Sequence, residues 1–291
     1  MREMHVLAPA KINVGLRIVG RRPDGYHLLD SLMIPVSLCD KLSIRLDRQP
    51  AAAEDALPIT LTCDEATLPV DETNLAYKAA ALLMRETGVR TPLSIHLQKR
   101  IPSGAGLGGG SSDAAAVLKG LNALLSLGLS EAQLCRLGTR LGADVPFFIP
   151  CRPARVEGIG EILTPVAPLV QRWIVLVVPP FGVSTPWAYR QFDALPSSAP
   201  VNVTFANLPL GQWPAPDLLV NDLECAVLPE YPHIAVIKSL LIEHGAEGAL
   251  MSGSGSSVFG IFPVQATAAQ AAEALQPQGR VFLVEPLAGP P

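Results

Sequence analysis

Apolar residues alternate with other residues in several stretches of the first hundred positions. A period of two is typical of a β-strand that buries one face, so each stretch predicts a half-buried strand. The first part of the chain is therefore expected to contain a sheet. The stretches are 12–18, 42–46, 59–61 and 93–97.

Helical spacing of apolar residues occurs between and after these strands. Thr73 or Asn74 can cap a helix that ends at Gly88, a residue suited to the left-handed conformation. A second helical pattern covers 117–125, and a capping-box sequence at 130–133 starts another helix. The first half of the chain is thus predicted to be mixed strand and helix.

The second half contains a further set of predicted elements. Residues 172–180 read as a buried strand, and 231–244 and 266–275 as helices. Proline and alanine dominate 194–216, which is expected to be irregular. A second α+β unit is therefore expected to start near residue 160. The expected domains are 1–160 and 161–291.

Composition narrows the classes of function. The chain has 291 residues, 49% of them hydrophobic, and a formal net charge of -4. Such a chain lacks the basic field that a nucleic-acid backbone requires, so we expect a small-molecule partner and no nucleic acid. Its five cysteines form no C-x-x-C pair. We expect no zinc site, no membrane segment and a cytoplasmic location.

The segment PSGAGLGGGSSDAA, residues 102–115, is the strongest candidate for a ligand site. Glycine leaves no Cβ in the way, so successive N–H groups can approach an anion at the start of the next helix. Gly104, Gly106 and Gly109 match G-x-G-x-x-G, but no βαβ pattern surrounds them. No G-K-[ST] closes the run, which excludes a Walker A loop. A flexible linker remains an alternative.

Two other segments carry candidate chemistry. LGADVPFFI places Asp144 in an apolar stretch, where a buried carboxylate needs a specific partner. A structural cap and a catalytic base are both open for Asp144. MSGSGSSVF, at 251–259, is a second segment rich in serine and glycine. Such a segment can be a tight hairpin or a ligand loop.

Three of these blocks together resemble the GHMP superfamily of small-molecule kinases, which includes galactokinase, homoserine kinase and mevalonate kinase. The blocks are APAKINVGL near the start, the glycine segment, and MSGSGSSVF. The resemblance covers residues 7–262. It implies an α+β chain with a mixed α/β nucleotide-binding N-terminal domain and a ferredoxin-like C-terminal domain, with the active site in the cleft between them.

Other stretches resemble one branch of that superfamily, whose acceptor is a polyol linked to cytidine diphosphate. They are GRRPDGYHLLDSL, LGADVPFFI and LVNDLE. This resemblance implies transfer of the γ-phosphoryl group of ATP, with Mg²⁺, to a hydroxyl of the polyol. Another alcohol kinase of the mevalonate or homoserine type, a nicotinamide-dependent dehydrogenase and a non-catalytic nucleotide-binding protein remain alternatives.

The resemblance also implies a set of residues that bind ATP. Asn74 and Lys99 are expected near the adenine, although a helix cap and a surface strand position are equally open for them. No protein ligand for a metal stands out. The residues expected around the phosphates are Pro102, Ser103, Gly104, Ala105, Gly106, Leu107, Gly108, Gly109, Gly110, Ser111 and Ser112.

Lys11 and Asp144 are the expected catalytic pair. Asp144 can accept the proton of the acceptor hydroxyl, and Lys11 can keep that carboxylate ionised and counter charge on the phosphoryl group. The alternative for Lys11 is a solvated lysine at a strand end. Asn13 has the same strand parity as Lys11, so it points either at the acceptor or into a hydrogen bond of the sheet.

The acceptor is expected to contact a third group of residues. Tyr26 and His27 follow a probable turn, and by resemblance they hold the cytosine through stacking and hydrogen bonds. Their alternative role is a loop tip with an aromatic anchor. Tyr189 is expected on the opposite face of the base, with Phe192 as its rival. Gly253 and Gly255 are expected to let the second glycine segment approach donor and acceptor.

Overall fold

Two strands of 20 residues each form the centre of the first sheet. The computed structural model describes residues 2–47, 57–195, 204–207 and 211–291. Within it, β1 (Arg2–Arg21) and β2 (His27–Leu46) pair antiparallel along their whole length. The register shifts three times along this pair, including once between Asn13 and Gly15. Such bulges bend a strand and redirect its side chains.

Four shorter strands complete this sheet. They are β3 (Ile59–Cys63), β4 (Leu93–Gln98), β5 (Ala154–Gly158) and β6 (Ile162–Pro165). The order is β3-β4-β2-β5-β6, with β1 paired to the other edge of β2. β3 and β4 are parallel, whereas every other pair is antiparallel.

Four helices accompany the first sheet, and their caps follow the sequence expectations. Asn74 caps α1 through its side chain, and Gly88 ends that helix at φ 70°. Ser130 and Gln133 form the expected capping box. The predicted helix around 117–125 is part of a longer helix that starts at 109. The helices are α1 (Leu75–Thr87), α2 (Gly109–Leu124), α3 (Glu131–Thr139) and α4 (Val145–Phe148).

The second unit has a ferredoxin-like arrangement, as expected. Its strands form an antiparallel sheet in the order β10-β7-β9-β8, and two helices provide the β-α-β-β-α-β crossovers. Short 3₁₀ turns lie at 205–207, 216–218 and 276–278. The elements are β7 (Trp173–Val178), α5 (Thr185–Ala194), α6 (Glu224–Val227), α7 (Pro232–Glu243), β8 (Gly248–Met251), β9 (Val258–Phe262), α8 (Gln265–Ala274) and β10 (Arg280–Val284).

Three apolar cores hold the layers together. One lies between the first sheet and its helices, and another lies between the second sheet and α5, α7 and α8. The middle core joins the two sheets directly and includes Ile12, Ile34 and Phe259, each fully buried. The half-buried strand predicted at 12–18 is therefore wrong for residues 12–16, because 8–16 is buried on both faces.

The expected boundary after residue 160 can be compared with the strand pairing. β6 pairs with β5 in the first sheet, so a boundary after residue 160 would cut this hairpin. We propose a boundary between β6 and β7. Part of the region expected to be irregular, 196–203 and 208–210, lies outside the described residues, and the rest of 204–216 contains only 3₁₀ turns and connecting chain. No helix in the described ranges is long and apolar enough to cross a bilayer.

Candidate active site

A cleft of about 840 Å³ opens where the two units meet. β1, the turn between β1 and β2, and the glycine loop (residues 102–112) line it from the first unit. The start of α5 and the Ser/Gly loop (residues 252–257) line it from the second. This volume lies within the range of ligand sites that enclose a small molecule. Most of the residues expected to bind ATP or the acceptor therefore face one space.

The three carbonyl groups of residues 105–107 in the glycine loop all accept hydrogen bonds from neighbouring segments of the protein. Lys11 N–H donates to the carbonyl of residue 107 at 3.0 Å. Ser252 and Ser257 donate side-chain hydrogen bonds to the other two carbonyls of 105–107. In a trans peptide the N–H points opposite to the C=O, so the N–H groups of 106–108 point away from these partners. The loop also leads into the N-terminus of α2, where the helix dipole favours an anion.

The glycines of this loop are required for different reasons. A Cβ on Gly106 would lie 2.2 Å from the carbonyl oxygen of Ser252, so this glycine lets the two loops touch. A Cβ on Gly108 would lie 2.8 Å from the ring of Phe148. Gly104 has φ +68° and no atom within 4 Å of such a Cβ. Packing against the protein, as well as access for a ligand, therefore explains the glycine content.

Lys11 and Asp144 meet at the floor of the cleft. Lys11 Nζ lies 3.7 Å from Asp144 Oδ2 and also donates to Asn13 Oδ1. Burial lowers the pKa of Lys11 below its ordinary value, and the Asp144 carboxylate partly opposes that shift. The solvated lysine considered for position 11 is therefore wrong. Its side chain is 5% exposed and has a carboxylate partner.

Asp144 differs from the buried carboxylate that the apolar segment suggested. Its side chain is 36% exposed, because it precedes α4 at the rim of the apolar wall and faces the cleft. It forms no side-chain cap of α4. Asp144 thus combines contact with a buried cation and access to a bound molecule.

A chain of hydrogen bonds fixes the side chain of Asn13. Its Nδ2 donates to Ser31 Oγ at 2.9 Å, and Ser31 donates to the carbonyl of Gly15 at 2.6 Å. Asn13 Oδ1 accepts from Lys11. The expected hydrogen bond within the sheet is therefore present, and Asn13 also lines the cleft, while its contact with the acceptor stays a prediction.

The Ser/Gly loop is held in place by a residue that the sequence analysis gave no role. Asn221 Nδ2 donates to the carbonyls of Met251 and Gly253, each at 2.8 Å. Gly253 has φ +57° and lies against Lys11 and Asn13, within 3.3 Å of both for an added Cβ. Gly255 has φ +87° and packs on Met251 instead. Of the two expected glycines, Gly253 lines the cleft and Gly255 shapes the loop behind it.

Aromatic residues form the far wall of the cleft. The rings of His27 and Tyr189 are stacked with centroids 4.7 Å apart, and Phe192 meets His27 edge-on at 6.4 Å. Both Tyr189 and Phe192 pack against the core of the second unit, and of the two only Tyr189 lines the cleft. Tyr26 is 60% exposed at the turn. Burial raises the pKa of Tyr189, and the Asp144 carboxylate adds to the effect, so its hydroxyl stays protonated.

Asp193 is a functional candidate that the sequence did not reveal. Its Oδ1 lies 2.7 Å from His27 Nε2, and its Oδ2 lies 3.3 Å from Arg21 Nη1. The partners are 166 residues apart in the chain, and no motif marked Asp193. Other polar contacts at the cleft have the same long-range origin. Thr185 and Ser254, for example, place their hydroxyls 2.7 Å apart.

Asn74, Lys99 and Ser112 are the remaining residues expected to bind ATP, and they differ in whether they line the cleft. Asn74 acts as the N-cap of α1, where its side chain accepts from Ala76 N–H, and the next residue, Leu75, lines the cleft. The surface position considered for Lys99 is wrong, since its side chain is 4% exposed and pairs with two carboxylates. Ser112 is buried and its Oγ has no hydrogen-bond partner among the described residues.

Comparison with known proteins identifies the family. The family described as GHMP kinases N terminal domain matches residues 74–151, and GHMP kinases C terminal matches residues 210–280. A protein of Syntrophotalea carbinolica named 4-diphosphocytidyl-2-C-methyl-D-erythritol kinase is 47% identical, over 97% of this chain and 98% of its own. A protein of the same name from Symbiobacterium thermophilum is 43% identical, over 95% and 97%. The chain belongs to the 4-diphosphocytidyl-2-C-methyl-D-erythritol kinase family.

Solved structures agree with this assignment. A crystal structure of 4-(cytidine 5'-diphospho)-2C-methyl-D-erythritol kinase matches with a TM-score of 0.78 and 37% identity, over 98% of this chain and all of that one. Homoserine kinase from Cytophaga hutchinsonii shares the fold, with a TM-score of 0.75 at 18% identity over 100% and 96%. The chain is thus an ATP-dependent GHMP kinase with small-molecule substrates, and the dehydrogenase and non-catalytic alternatives are set aside.

Proposed function

We propose that this kinase transfers the γ-phosphoryl group of ATP to the 2-hydroxyl of 4-diphosphocytidyl-2-C-methyl-D-erythritol, a step of non-mevalonate isoprenoid biosynthesis. The products are the 2-phosphate and ADP. The Lys11–Asp144 pair, facing the cleft beside the glycine loop, is the observation that carries the mechanism. Free thiols at all five cysteines are compatible with the proposed cytoplasmic location.

The glycine loop is the proposed triphosphate site. N–H groups of 106–108 and the N-terminus of α2 supply partial positive charge without a side chain. Leu75 and Lys99 both line the cleft, which supports the adenine position expected near Lys99. Phosphoryl transfer depends on alignment and charge neutralisation, and a rigid array of amides provides both.

Asp144 and Lys11 are the proposed catalytic residues. Asp144 accepts the proton as the acceptor oxygen forms its bond to the γ-phosphorus, while the bond to the β,γ-bridging oxygen breaks and ADP leaves. The Lys11 ammonium group stabilises the Asp144 carboxylate in the resting site and lies where charge develops on the transferred group. Asn13 keeps the lysine side chain aimed at Asp144 through its shared hydrogen bond.

The aromatic wall is the proposed site of the cytidine. Tyr26 is exposed at the turn and can cover one face of the base, while Tyr189 offers the other. His27 is held by Asp193, so its ring presents one fixed nitrogen edge to the cleft. The cytidine thereby positions the polyol between the aromatic wall and Asp144.

Mg²⁺ fits this cleft as an ion that enters with ATP. Among the described residues, no three His, Cys, Asp or Glu side chains form a metal cluster. Mg²⁺ is commonly held by substrate phosphates, water and one or two protein oxygens. The Ser112 Oγ near the start of α2, which has no hydrogen-bond partner among the described residues, is a candidate oxygen for that role. When bound, the ion would neutralise phosphate charge.

A coupled assay of ADP release tests the proposal. Purified protein is given ATP and, in separate reactions, the cytidylylated methylerythritol, mevalonate or homoserine. We expect turnover with the first acceptor only. Turnover restricted to another alcohol would replace the proposed substrate, and the absence of turnover with all three would leave the mechanism without support.

A further inference from the structure

Three charged side chains lie beneath the glycine loop, and of these only Lys99 also lines the cleft. Asp40 on β2 is fully buried, and Asp113 on α2 is 3% exposed. Lys99, which follows β4, lies between them. Its Nζ is 2.6 Å from Asp113 Oδ2 and also donates to Asp40 Oδ2. We refer to these three residues as the charge cluster.

The charge cluster holds the residues that precede the glycine loop. Asp40 Oδ1 accepts hydrogen bonds from the backbone N–H groups of Arg100 at 2.5 Å and Ile101 at 2.8 Å. These are the last two residues before the loop. Gly109, within the loop, would bring a Cβ to 3.6 Å from Asp40 Oδ2, so the carboxylate lies directly under the loop.

The charge cluster also holds the residue that follows the loop. Asp113 comes directly after Ser112, in the first part of α2. Lys99 therefore connects the two ends of the glycine loop through one ammonium group. A buried ion cluster is a poor source of stability, because apolar residues of the same volume often serve the fold as well. Its placement at both ends of a binding loop suggests a role in geometry.

We propose that Asp40, Lys99 and Asp113 are positioning residues that fix the spacing between the two ends of the glycine loop and so set the affinity for ATP. This inference rests on the proposed ATP site. Neither Asp40 nor Asp113 lines the cleft, so the effect of these two carboxylates does not require contact with the nucleotide. The effect reaches ATP through the backbone amides that the cluster holds in place.

The surroundings of Asp113 support this role. Its Oδ1 has no hydrogen-bond partner among the described residues, although it is buried. Burial raises the pKa of Asp113 to about 7, Asp40 adds to the rise, and Lys99 opposes it. Burial favours the protonated form of Asp113, and the Lys99 ammonium group favours its carboxylate form.

The test removes the ion pairs of Lys99 and keeps a side chain of similar volume at position 99. Lys99→Met severs both ion pairs, and the double variant Lys99→Met, Asp113→Asn also avoids two facing carboxylates without a cation. We expect the KM for ATP to rise about tenfold in both, with the KM for the acceptor changed less than about twofold, because only the loop geometry is disturbed. Thermal stabilisation by ATP should fall in parallel.

Asp47→Asn is the matched control. Asp47 also bonds a side chain of β4, Ser94, at 2.5 Å. It lies at the other end of the β2–β4 pairing, roughly 20 Å away along the strands. We expect both KM values to stay at the wild-type level in this variant. An equal rise for ATP and acceptor in the Lys99 variants would indicate a general structural role and overturn the inference.

A milder variant covers the case in which the Lys99 variants do not fold. Asp113→Asn keeps the shape but replaces the ionic contact with Lys99 by a neutral one. At pH 8 we expect the KM for ATP to rise about two- to threefold, again without change for the acceptor. An unchanged KM for ATP in a folded variant would overturn the inference. Wild-type protein that neither binds ATP nor releases ADP would instead refute the proposed function.

Discussion

At the scale of single residues, the glycine content of the loop predicts a binding site. It does not predict why each position must be glycine. The run of glycines predicts an anion site. However, a side chain at Gly106 would clash with the backbone of Ser252, and a side chain at Gly108 would clash with the ring of Phe148. Gly104 alone of these three has open space around it. These neighbours lie far away in the chain, so no local pattern distinguishes the three positions.

Gly106→Ala and Gly104→Ala distinguish a glycine required by close packing from a glycine with open space around it. Both positions have positive φ, which costs an alanine about 1–2 kcal/mol. Gly106→Ala must also move the carbonyl of Ser252, 2.2 Å from the new Cβ. We expect the loss of unfolding free energy to exceed that of Gly104→Ala by at least about 1 kcal/mol. Denaturant titration of both variants measures the difference, and equal losses would show that the two loops separate freely.

Asp144→Asn tests the proposed base. The amide cannot accept the proton of the acceptor hydroxyl, so we expect turnover to fall by at least about 100-fold. ATP binding should change little, because the loop amides are untouched. Steady-state kinetics and nucleotide titration give the two values. Asp217→Asn, at an exposed aspartate, is the control. Turnover near the wild-type level would remove Asp144 from the mechanism.

The candidate site was predictable where residues lie in a local motif. Lys11, Asp144 and the glycine loop stand in recognisable stretches, and the structure brings them to one cleft. Asp193 and Asn221 were not assigned a role, because their partners at the site lie 166 and about 30 residues away. Hydrogen bonds between distant segments depend on the tertiary fold and leave no periodic signal in the sequence.

At the scale of elements, capping chemistry and apolar period predicted α1, α2, α3, α7 and α8 but missed α4, α5 and α6. Asn74, Gly88 and the capping box at 130–133 mark ends of α1 and α3 as expected. Strand β1 was misjudged because alternation assumes one solvent-facing side. Here one side packs on the second sheet, and the other holds Lys11 and Asn13 under the cleft. Sheet-on-sheet packing is a property of the assembled layers.

The turn between β1 and β2 gives a prediction about substrate binding. Tyr26→Ala removes an exposed ring from the proposed cytidine site. Stacking on the base is shared by the ground and transition states, so we expect the KM for the acceptor to rise more than turnover falls. Steady-state kinetics with saturating ATP measures both. Val19→Ala, an exposed residue of the same hairpin, is the control. An unchanged KM would assign Tyr26 a role in the fold only.

The connection before α6 gives a prediction about the Ser/Gly loop. Asn221→Ala leaves the carbonyls of Met251 and Gly253 without their donor in a buried place. We expect unfolding free energy to fall by about 1–3 kcal/mol and turnover to fall with it, because Gly253 packs on Lys11. Thermal melts and the coupled assay test this. Unchanged turnover in a destabilised variant would separate the loop from catalysis.

At the scale of the whole molecule, the charge cluster makes stability depend on pH. Asp113 binds its proton more tightly when folded, with a pKa of about 7 beside Asp40, Lys99 and the Cys63 thiol. Its contribution to stability is therefore present below the ordinary pKa of aspartate and is lost as pH rises towards 7. In Asp113→Asn we expect this decline, about 1–3 kcal/mol between pH 5 and 8, to be absent. Denaturant titrations of the wild type and of Asp113→Asn at pH 5 and pH 8 measure this change in unfolding free energy.

The apolar layer between the two sheets limits how this enzyme can receive its substrates. Ile12, Ile34 and Phe259 are fully buried in this layer, so moving one unit away from the other would expose a large apolar surface to water. A hinge like that of many kinases would thus be costly here. We therefore expect substrates to enter without a large domain movement, and the small adjustments on binding to fall to the exposed β1–β2 turn.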